Sequence, residues 1–452
     1  MSAALWPARL SPIFAHSLTS DIGALMEFFS SAHLKDGVTK KEIWAWSAFD
    51  FANSGYTTVV LTAVFNAYFV GVVCGNASWG TLLWTSVIAA SNILSIVLMP
   101  FIGAATDLKA NKKFWVILMS LLCILGTLGL YFTHEGTIFL AIAMVIISNF
   151  GYNVGETLNS AFLPELANDD SLGKVSGWGW SFGYCGGLLT LGISLAIVSM
   201  MQSGGAGAED YVPYTMLVTA IVFIIAAAPL ALWLKERATP RSQARFMTLV
   251  KESQASLVQT FRSLPQHRNF AFLVSSGLFF QAGIAVVVTL AAIYANQVMG
   301  FSEAETIFMV LLVNITAAIG AFAFGYVEDK IGHKYALMLT LVVWLAMIGV
   351  GYYAQTKPVF WIAANLAGIA MGSSQSAGRA LVGALAPKEQ CAAFYSFWNM
   401  ALWVANIIGP MTYGTLTWIT NNDHRFALLM TGLFFVIGLV LLVPIQLKKK
   451  IQ

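Results

Sequence analysis

Charged side chains are scarce in this sequence. Asp, Glu, Lys and Arg make up 10% of its 452 residues, and 58% of the residues are hydrophobic. A soluble domain carries about a quarter charged residues to keep its surface hydrated. The composition therefore excludes an ordinary soluble protein, and the small net charge of +3 gives no reason to expect a nucleic-acid partner.

Catalytic and metal-binding motifs are also missing. The four cysteines stand apart with no C-x-x-C pair, and the six histidines are scattered mostly in polar segments. We interpret Cys74, Cys123, Cys185 and Cys391 as packing residues. No G-x-x-x-x-G-K-[ST] phosphate loop occurs, which argues against direct use of ATP. The sequence therefore predicts neither an enzyme nor a metal or cofactor site.

Long apolar runs fill most of the chain. A helix needs about 20 apolar residues to cross about 30 Å of hydrocarbon. The runs are continuous rather than alternating, which favours helices over a β-barrel. Twelve spans are predicted, at about 44–72, 80–105, 114–132, 137–163, 174–200, 212–235, 269–299, 304–327, 335–354, 358–385, 391–419 and 425–446.

The basic residues are distributed unevenly between the two sides of the predicted spans. With both termini on the same side, 21 of the 24 Lys and Arg residues fall on that side or at its helix ends. Only Lys357 and Arg425 fall on the other, and Arg379 lies within a span. Short cytoplasmic loops retain basic residues during insertion. We therefore expect both termini in the cytoplasm, and a plasma (inner) membrane location if the protein is bacterial.

The longest polar segment, 236–268, divides the spans six and six. It would be a cytoplasmic linker between two bundles, 44–235 and 269–447, followed by a basic tail at 448–452. Residues 1–43 form a cytoplasmic segment, in which 21–34 has the apolar spacing of a short interfacial helix.

Two landmarks repeat between the halves. Gly103 and Asp107, followed by Lys112 and Lys113, recur as Gly325 and Asp329, followed by Lys334, at an offset of 222. Pro164 after the fourth span recurs as Pro387 after the tenth, at 223. Glycine permits close helix approach, and the aspartate can bond a neighbouring helix terminus or a basic side chain in one conformation. We predict gating roles for Gly103, Asp107, Lys112, Lys113, Gly325, Asp329 and Lys334.

These features resemble the major facilitator superfamily. Trp44–Tyr56 (WAWSAFDFANSGY), Phe150–Leu166 and Ser176–Tyr184 (SGWGWSFGY) are similar to motifs of its vacuole-effluxer-like branch. The resemblance covers about 41–447. It implies two pseudo-symmetric six-helix bundles around a central cavity, and members of the branch in fungi resemble exporters of amino acids. One departure is Ala110-Asn111, where the family has glycine and arginine, which predicts a weaker inner gate in the first half.

Polar residues form stripes on two spans. Asn149, Tyr152, Asn153, Glu156 and Asn159 share one face of the fourth span, and Gln375 and Arg379 lie on a similar stripe in the tenth. Glu156 and Arg379 are separated by 223 residues, which places them at equivalent positions. They could form an ion pair, clamp a zwitterion, or couple transport to a proton. Alternatively, each pairs locally and never meets solute.

Further candidate contacts with substrate come from the first, seventh and eleventh spans: Asn53, Tyr56, Gln281, Tyr294, Asn399 and Trp403. For Asn53, Tyr56, Gln281 and Tyr294, hydrogen bonding between helices is an equally open interpretation. For Trp403 the alternative is packing or interfacial anchoring. Asp50, near the cytoplasmic start of the first span, could cap that helix or join the inner gate.

The sequence thus predicts a monomeric secondary transporter, embedded in the lipid bilayer, that moves a small solute such as an amino acid. Export is the expected direction, and proton coupling is a hypothesis that rests on Glu156. The alternatives are an exporter of drugs or organic ions, and a membrane receptor or scaffold without transport.

Overall fold

The described part of the chain forms twelve long helices in a computed structural model. It describes residues 30–241 except 76 and 78, residue 252, and residues 267–446 except 422. In chain order the helices are α1 Lys40–Val73, α2 Gly80–Lys109, α3 Lys112–Gly129, α4 Ile138–Ser160, α5 Leu172–Ser203, α6 Ala208–Trp233, α7 Arg268–Gln297, α8 Glu303–Ile331, α9 His333–Tyr353, α10 Lys357–Leu385, α11 Cys391–Ile419 and α12 His424–Leu442. Short helices at Ser31–His33, Leu163–Leu166 and Lys388–Gln390 lie in the connections.

Eleven of these helices in the described residues are long and apolar enough to cross a membrane. The twelfth, α10, has 29 residues but a less apolar composition, because it carries Asn365, Gln375 and Arg379 among many small residues. The all-helical membrane architecture predicted from the sequence is confirmed, and each helix coincides with one predicted span.

The first helix departs from regular α-helical geometry in its second half. It begins at Lys40, where the Thr39 hydroxyl accepts from the Glu42 N–H and the Glu42 carboxylate accepts from the Thr39 N–H. From Thr57 to Ala63, and again from Phe69 to Val73, the backbone is π-helical. Such segments are rare in helices and occur frequently at functional sites.

The two halves repeat one packing scheme. In the first half α1 packs against α5 and α6, α4 against α2 and α3, and α3 against α6. In the second half α7 packs against α11 and α12, α10 against α8 and α9, and α9 against α12. Each contact in one half therefore has its counterpart six helices later, as expected for a duplicated bundle.

Glycine permits the closest of these contacts. A Cβ at Gly126 of α3 would lie 2.8 Å from the Met144 carbonyl oxygen, and one at Gly151 of α4 would lie 2.6 Å from that of Met119. The α3 and α4 backbones can approach this closely only because both positions lack a side chain. In lipid, such van der Waals packing replaces the hydrophobic effect as the main force between helices.

The halves meet near one end of the bundle. We call it the basic end; it carries the connections 110–111, 161–171, 332 and 386–390. The halves meet through α5 with α8, α5 with α10 and α2 with α11. The interfaces α2 with α11 and α5 with α8 exchange under the repeat. The hydrogen bonds between the halves at Asp107, Arg379 and Asn399 lie within about 15 Å of this end, counted at about 1.5 Å per helical residue. The molecule is therefore closed at the basic end.

The N-terminal segment packs on that closed end. Leu34 is buried and pairs with Ala167, the Lys35 N–H donates to the Leu166 carbonyl at 3.0 Å, and the Asn168 N–H donates to the His33 carbonyl at 3.0 Å. Residues 21–29 of the predicted interfacial helix lie outside the described residues. The described remainder is a single helical turn followed by this bridge, and the interfacial helix stays a prediction. The linker also touches this end up to residue 241, where the Arg241 N–H donates to the Leu108 carbonyl at 2.8 Å.

Candidate functional site

A cavity with two adjoining lobes lies between the halves, beyond the contacts of the basic end. The lobes enclose about 570 and 650 Å³, including open solvent at their mouths. The first, which we call the hydroxyl lobe, is lined by Asp50, Asn53, Ser54, Thr57, Thr58, Tyr152, Glu156, Trp180, Tyr184, Gly187 and Asn314. The second, the amide lobe, is lined by Tyr152, Asn153, Glu156, Thr157, Ser160, Trp180, Gln281, Gln375, Arg379, Tyr395, Trp398, Asn399, Leu402, Trp403 and Asn406. Tyr152, Glu156 and Trp180 belong to both.

Arg379 of the second half is held by groups of the first half. Its Nη1 lies 2.7 Å from Asp50 Oδ2 and 3.8 Å from Glu156 Oε1. Its Nε and Nη2 donate to the Ser176 hydroxyl and carbonyl, at 3.1 and 2.9 Å. The guanidinium also lies over the ring of Trp180, 5.3 Å from its centre. A buried cation needs such complete pairing, because an unpaired charge at this depth would be very costly.

The predicted pairing of charges is therefore corrected in one respect. The repeat places Glu156 and Arg379 at equivalent positions, and they do face each other, but the shorter ion pair is between Arg379 and Asp50. Asp50 does not cap α1, since Thr39 does. The repeat offset relates α4 to α10 only, so it could not predict that α1 places the Asp50 carboxylate beside Arg379.

Glu156 is the most accessible member of this cluster. Its side chain is 19% exposed, against 5% for Asp50 and 4% for Arg379. Asn53 Nδ2 donates to Glu156 Oε2 at 2.7 Å, and the Ser160 hydroxyl donates to Oε1 at 3.4 Å. A group that enters the cavity would reach Glu156 before it reached Asp50.

Amide side chains of the second half line the amide lobe. Gln375 Nε2 donates to Gln281 Oε1 at 3.4 Å, and Gln281 Nε2 donates to Asn406 Oδ1 at 3.2 Å. Asn399 Nδ2 donates across the halves to the Thr157 hydroxyl at 2.9 Å. These uncharged groups can both donate and accept, so they suit a polar solute of either sign.

Four predicted contact residues lie outside the lining of the two lobes. The Tyr56 hydroxyl bonds that of Ser148 at 2.8 Å, Asn159 donates to Asp50 at 3.0 Å, and Tyr294 donates to the Gly351 carbonyl at 3.1 Å. Asn149 is buried. Asn153 reaches the amide lobe but bonds Asn92 and Ser95. For Tyr56, Asn159 and Tyr294 the structure shows hydrogen bonding within the protein, away from the lining of the cavity.

Asp107 and Asp329, the aspartates of the repeated landmark, lie at equivalent interfaces of the basic end. Asp107 accepts from the N–H groups of Ala392 and Ala393, at 3.1 and 2.9 Å, at the first turn of α11. Asp329 lies 3.6 Å from Lys174 Nζ in the first turn of α5. At α11 the Asp107 carboxylate is stabilised by the N–H groups and the dipole of the helix N-terminus, and at α5 the Asp329 carboxylate faces the ammonium group of Lys174. Both aspartates thus hold the two halves together.

The two predicted glycines lie beside these aspartates. A Cβ at Gly103 would lie 2.9 Å from the Ala392 carbonyl oxygen, and one at Gly325 would lie 2.8 Å from that of Gly173. Only glycine permits this approach of α2 to α11 and of α8 to α5. The positions occupy equivalent places in the two interfaces.

The predicted basic gate residues bond within their own halves instead. Lys112 pairs with Glu165 and donates to the Ala161 carbonyl at 3.3 Å. The Lys113 N–H donates to Glu236 at 2.9 Å, and Lys334 Nζ donates to the Val443 carbonyl at 2.8 Å. None of these bonds crosses between the halves in this closed state, and a gating role for the lysines stays a prediction.

The departure at Ala110 has a structural consequence. Ala110 has a φ of 51°, and Gly332, its equivalent at the 222 offset, has a φ of 91°. An alanine in this left-handed region costs roughly 1–2 kcal/mol, whereas glycine adopts it freely. The first-half turn is thus the more strained of the two, and the weaker first-half gate stays a prediction.

Several site residues were missing from the candidates drawn from the sequence. Ser176 and Trp180, which contact Arg379, lie one helical turn apart in the SGWGWSFGY motif. Ser54, Thr57 and Thr58 follow Asn53 directly in an apolar span. Hydroxyls readily bond their own helix backbone, so their sequence signal is weak.

Comparisons with known proteins agree with this arrangement. Residues 67–452 match the sequence model of the family described as "Vacuole effluxer Atg22 like". The chain belongs to this family. The Atg22-like chain is 24% identical to an uncharacterized MFS-type transporter, YxiO, of Bacillus subtilis, over 89% of this chain and 94% of that protein. It is 22% identical to Autophagy-related protein 22 of Vanderwaltozyma polyspora, over 81% and 74%.

Solved structures show the same fold. The major facilitator transporter FucP in its outward conformation superposes with a TM-score of 0.71 at 13% identity, over 90% of this chain and 98% of that one. A bacterial homologue of the iron transporter ferroportin, in its outward-facing state, gives 0.67 at 14% identity, over 89% and 98%. The Atg22-like chain is therefore an integral membrane protein of the major facilitator type, and its family and fold support secondary transport.

Proposed function

We propose that the Atg22-like chain moves a small solute with an amino group, such as an amino acid, by alternating access. The observation that carries the proposal is Arg379 of the second half, held between Asp50 and Glu156 of the first at the floor of the cavity. This contact joins the halves only while the basic end is closed. A solute that competes for Glu156 or Arg379 would therefore alter the balance between the closed and open states.

The charges of the cavity support this class of solute. Among the described lining residues, Asp50 and Glu156 are acidic and Arg379 is basic, so one negative charge is in excess. An ammonium group could be placed against Glu156, while the amide lobe offers donors for a carboxylate. A monovalent cation, either the predicted proton or a metal ion, could accompany transport by meeting the same excess charge.

An exporter of organic cations is the second candidate. Trp180, Trp398 and Trp403 line the amide lobe beside Glu156. Aromatic faces together with an acidic group attract a large organic cation. The amide groups of Gln281, Gln375 and Asn399 favour the smaller polar solute, because they would be left unpaired against an apolar body. A receptor or scaffold would need none of these groups in a cavity.

Direction and orientation are part of the proposal. The family description as an effluxer supports export, and the basic end would be cytoplasmic by the charge asymmetry. The closed basic end would then make this state outward-facing, in a plasma membrane if the protein is bacterial. The monomer would be the working unit, since both lobes form within one chain.

The test is counterflow of amino acids into vesicles that contain the purified protein. We expect uptake by the wild type, competition among amino acids, and about a tenfold or greater loss in Glu156→Gln, because a charge-assisted contact contributes about 1.5–3 kcal/mol. Glu135→Gln, in an exposed loop at the opposite end, is the matched control. Full uptake and unchanged pH dependence in Glu156→Gln would reject a role for this carboxylate. Uptake of organic cations alone would support the second candidate.

A further inference from the structure

The hydroxyl lobe contains an amide oxygen that has no hydrogen-bond partner. Asn53 is 2% exposed, and its Nδ2 donates to Glu156, but its Oδ1 is buried without a partner. Reversing the amide would turn this oxygen towards the Glu156 carboxylate, which would be repulsive. A buried acceptor left unpaired costs about 1–3 kcal/mol. Such a group at the wall of a cavity indicates that something else completes its contacts.

Further oxygen groups line the same lobe. Ser54, Thr57 and Thr58 follow Asn53 on α1 and line the lobe together with it. The Thr57 hydroxyl donates its proton to the Ser54 carbonyl at 3.2 Å, which leaves its oxygen lone pairs available. The opposing face of α5 has glycines there: a Cβ at Gly183 would lie 2.9 Å from the Ser54 oxygen, and one at Gly187 would lie 2.7 Å from that of Thr58. The small residues of α5 leave room for the hydroxyl groups.

The backbone changes geometry at the same place. The π-helical segment of α1 begins at Thr57, in the wall of the lobe. A π-helical turn alters the direction of nearby carbonyl groups, and interrupted helices in transporters supply such carbonyls to cations.

We propose that the hydroxyl lobe is a sodium site. Its ligands would be Asn53 Oδ1, hydroxyls of Ser54, Thr57 and Thr58, and a Glu156 carboxylate oxygen. Hard cations prefer oxygen ligands, and the lobe offers uncharged oxygens beside one excess negative charge. A monovalent ion balances that charge, whereas a divalent ion would leave a positive excess in a desolvated site.

The proposal rests on the proposed function in one respect, since it names the cation that accompanies transport. In this arrangement the solute occupies the amide lobe and sodium the hydroxyl lobe. Glu156 contacts both, because it lines both lobes. Sodium bound first would therefore organise Glu156 and Asn53 for the solute.

The experiment measures sodium binding without solute. Purified protein is unfolded by heat in increasing NaCl, with choline chloride holding the ionic strength constant and KCl as a second salt. We expect a saturable rise in Tm with NaCl only, because a ligand that binds the folded state stabilises it. Binding of radioactive sodium to the wild type gives a direct second measure.

Two variants locate the ion. Thr57→Val and Asn53→Ala should each raise the half-saturating sodium concentration at least tenfold. Thr340→Val is the matched control, because the Thr340 hydroxyl bonds its own helix in α9. Equal stabilisation by choline and sodium would overturn the proposal, as would a sodium effect that survives in both variants. Should Asn53→Ala fail to fold, Thr57→Val still decides.

The two proposals fail separately. Counterflow of amino acids without any sodium response would reject the sodium site and leave the solute class intact. Saturable sodium binding, lost in Thr57→Val, together with no amino-acid transport would reject the solute class and retain the site.

Discussion

At the scale of single residues, the contact between Asp50 and Arg379 is the decisive feature of this state. Both side chains are almost fully buried, and the pair joins the two halves. Removing one partner of a buried pair leaves an uncompensated charge and costs about 3–5 kcal/mol. In a protein with two conformations, that cost falls on the state in which the remaining charge is buried.

We therefore predict that Asp50→Asn shifts the molecule towards opening at the basic end. Cys391 offers a native reporter, since it is buried at the first turn of α11, where α2 packs against it. In a Cys185→Ser background, which removes the exposed cysteine, maleimide should label Cys391 at least about tenfold faster in Asp50→Asn than in the parent.

Two controls accompany this measurement. Cys391→Ser should abolish the added labelling, and combining Asp50→Asn with Arg379→Gln should return the rate towards that of the parent. Unchanged labelling in Asp50→Asn would show that the pair does not hold the basic end closed.

Part of this site can be predicted from the sequence. The helical spacing on α4 and the repeat offset identified Glu156 and Arg379, and the structure places both in the cavity. The same spacing also selected Asn149 and Asn159, which lie outside its lining. A stripe of polar residues defines one face of a helix, but only the neighbouring helices decide which part of that face meets the cavity.

At the scale of elements, the N-terminal segment forms a strap over the connection between α4 and α5. His33 Nδ1 lies 3.0 Å from the Ser171 hydroxyl, and its ring packs edge-on against Trp178, 6.0 Å between centres. Asn168 Nδ2 donates to the Ala32 carbonyl at 3.2 Å. The strap covers the short helix Leu163–Leu166, which contacts α10 of the other half.

We predict that the strap loosens in acid. Burial, and then the charge of Lys174, lower the pKa of His33 from 6.5. Lys35 and Asp169 also lie near this connection. A lowered pKa means that the undocked segment binds a proton more readily. Docking is therefore fully favourable above pH 6.5 and weakens as the pH falls below it.

The rate of hydrogen exchange in the peptide that contains Lys35 measures how tightly the strap is docked, because the Lys35 N–H bonds the Leu166 carbonyl. The protein and His33→Gln are compared at the same pH, so that the intrinsic pH dependence of exchange cancels. Glutamine retains a polar side chain beside Ser171 but does not titrate. We expect the exchange rate at pH 5.5, divided by that at pH 7.5, to be larger in the parent than in His33→Gln. An equal ratio in both proteins would exclude His33 as the cause.

At the scale of the whole molecule, the two halves repeat one another and close at the basic end. The interfaces α2 with α11 and α5 with α8 exchange under the repeat, and each contains an aspartate at a helix N-terminus. An interface that is the same on both sides of a pseudo-two-fold axis can open symmetrically. This is the physical requirement for exposing the cavity alternately to the two sides.

The predicted orientation can be tested on intact cells. In a background without the four native cysteines, Glu135→Cys, in an exposed loop at the opposite end, should react with a membrane-impermeant maleimide. Glu389→Cys, in an exposed turn of the basic end, should react only after permeabilisation. The reverse pattern would place the basic end outside and would reverse the direction assigned to this closed state.

The twelve helices can be predicted from the sequence alone, and so can their division into two halves and the landmarks of the repeat. These follow from local properties: apolar length decides what crosses a bilayer, and a duplicated pattern specifies a duplicated bundle. The packed helices were needed to show that Asp50 pairs with Arg379 and that Lys112 and Lys334 bond within their own halves. The same holds for the N-terminal segment, which lies on the α4–α5 connection. The reason is that a side chain's partner depends on which helix lies opposite it, and residues such as Asp50 and Arg379 meet only after the two bundles have come together.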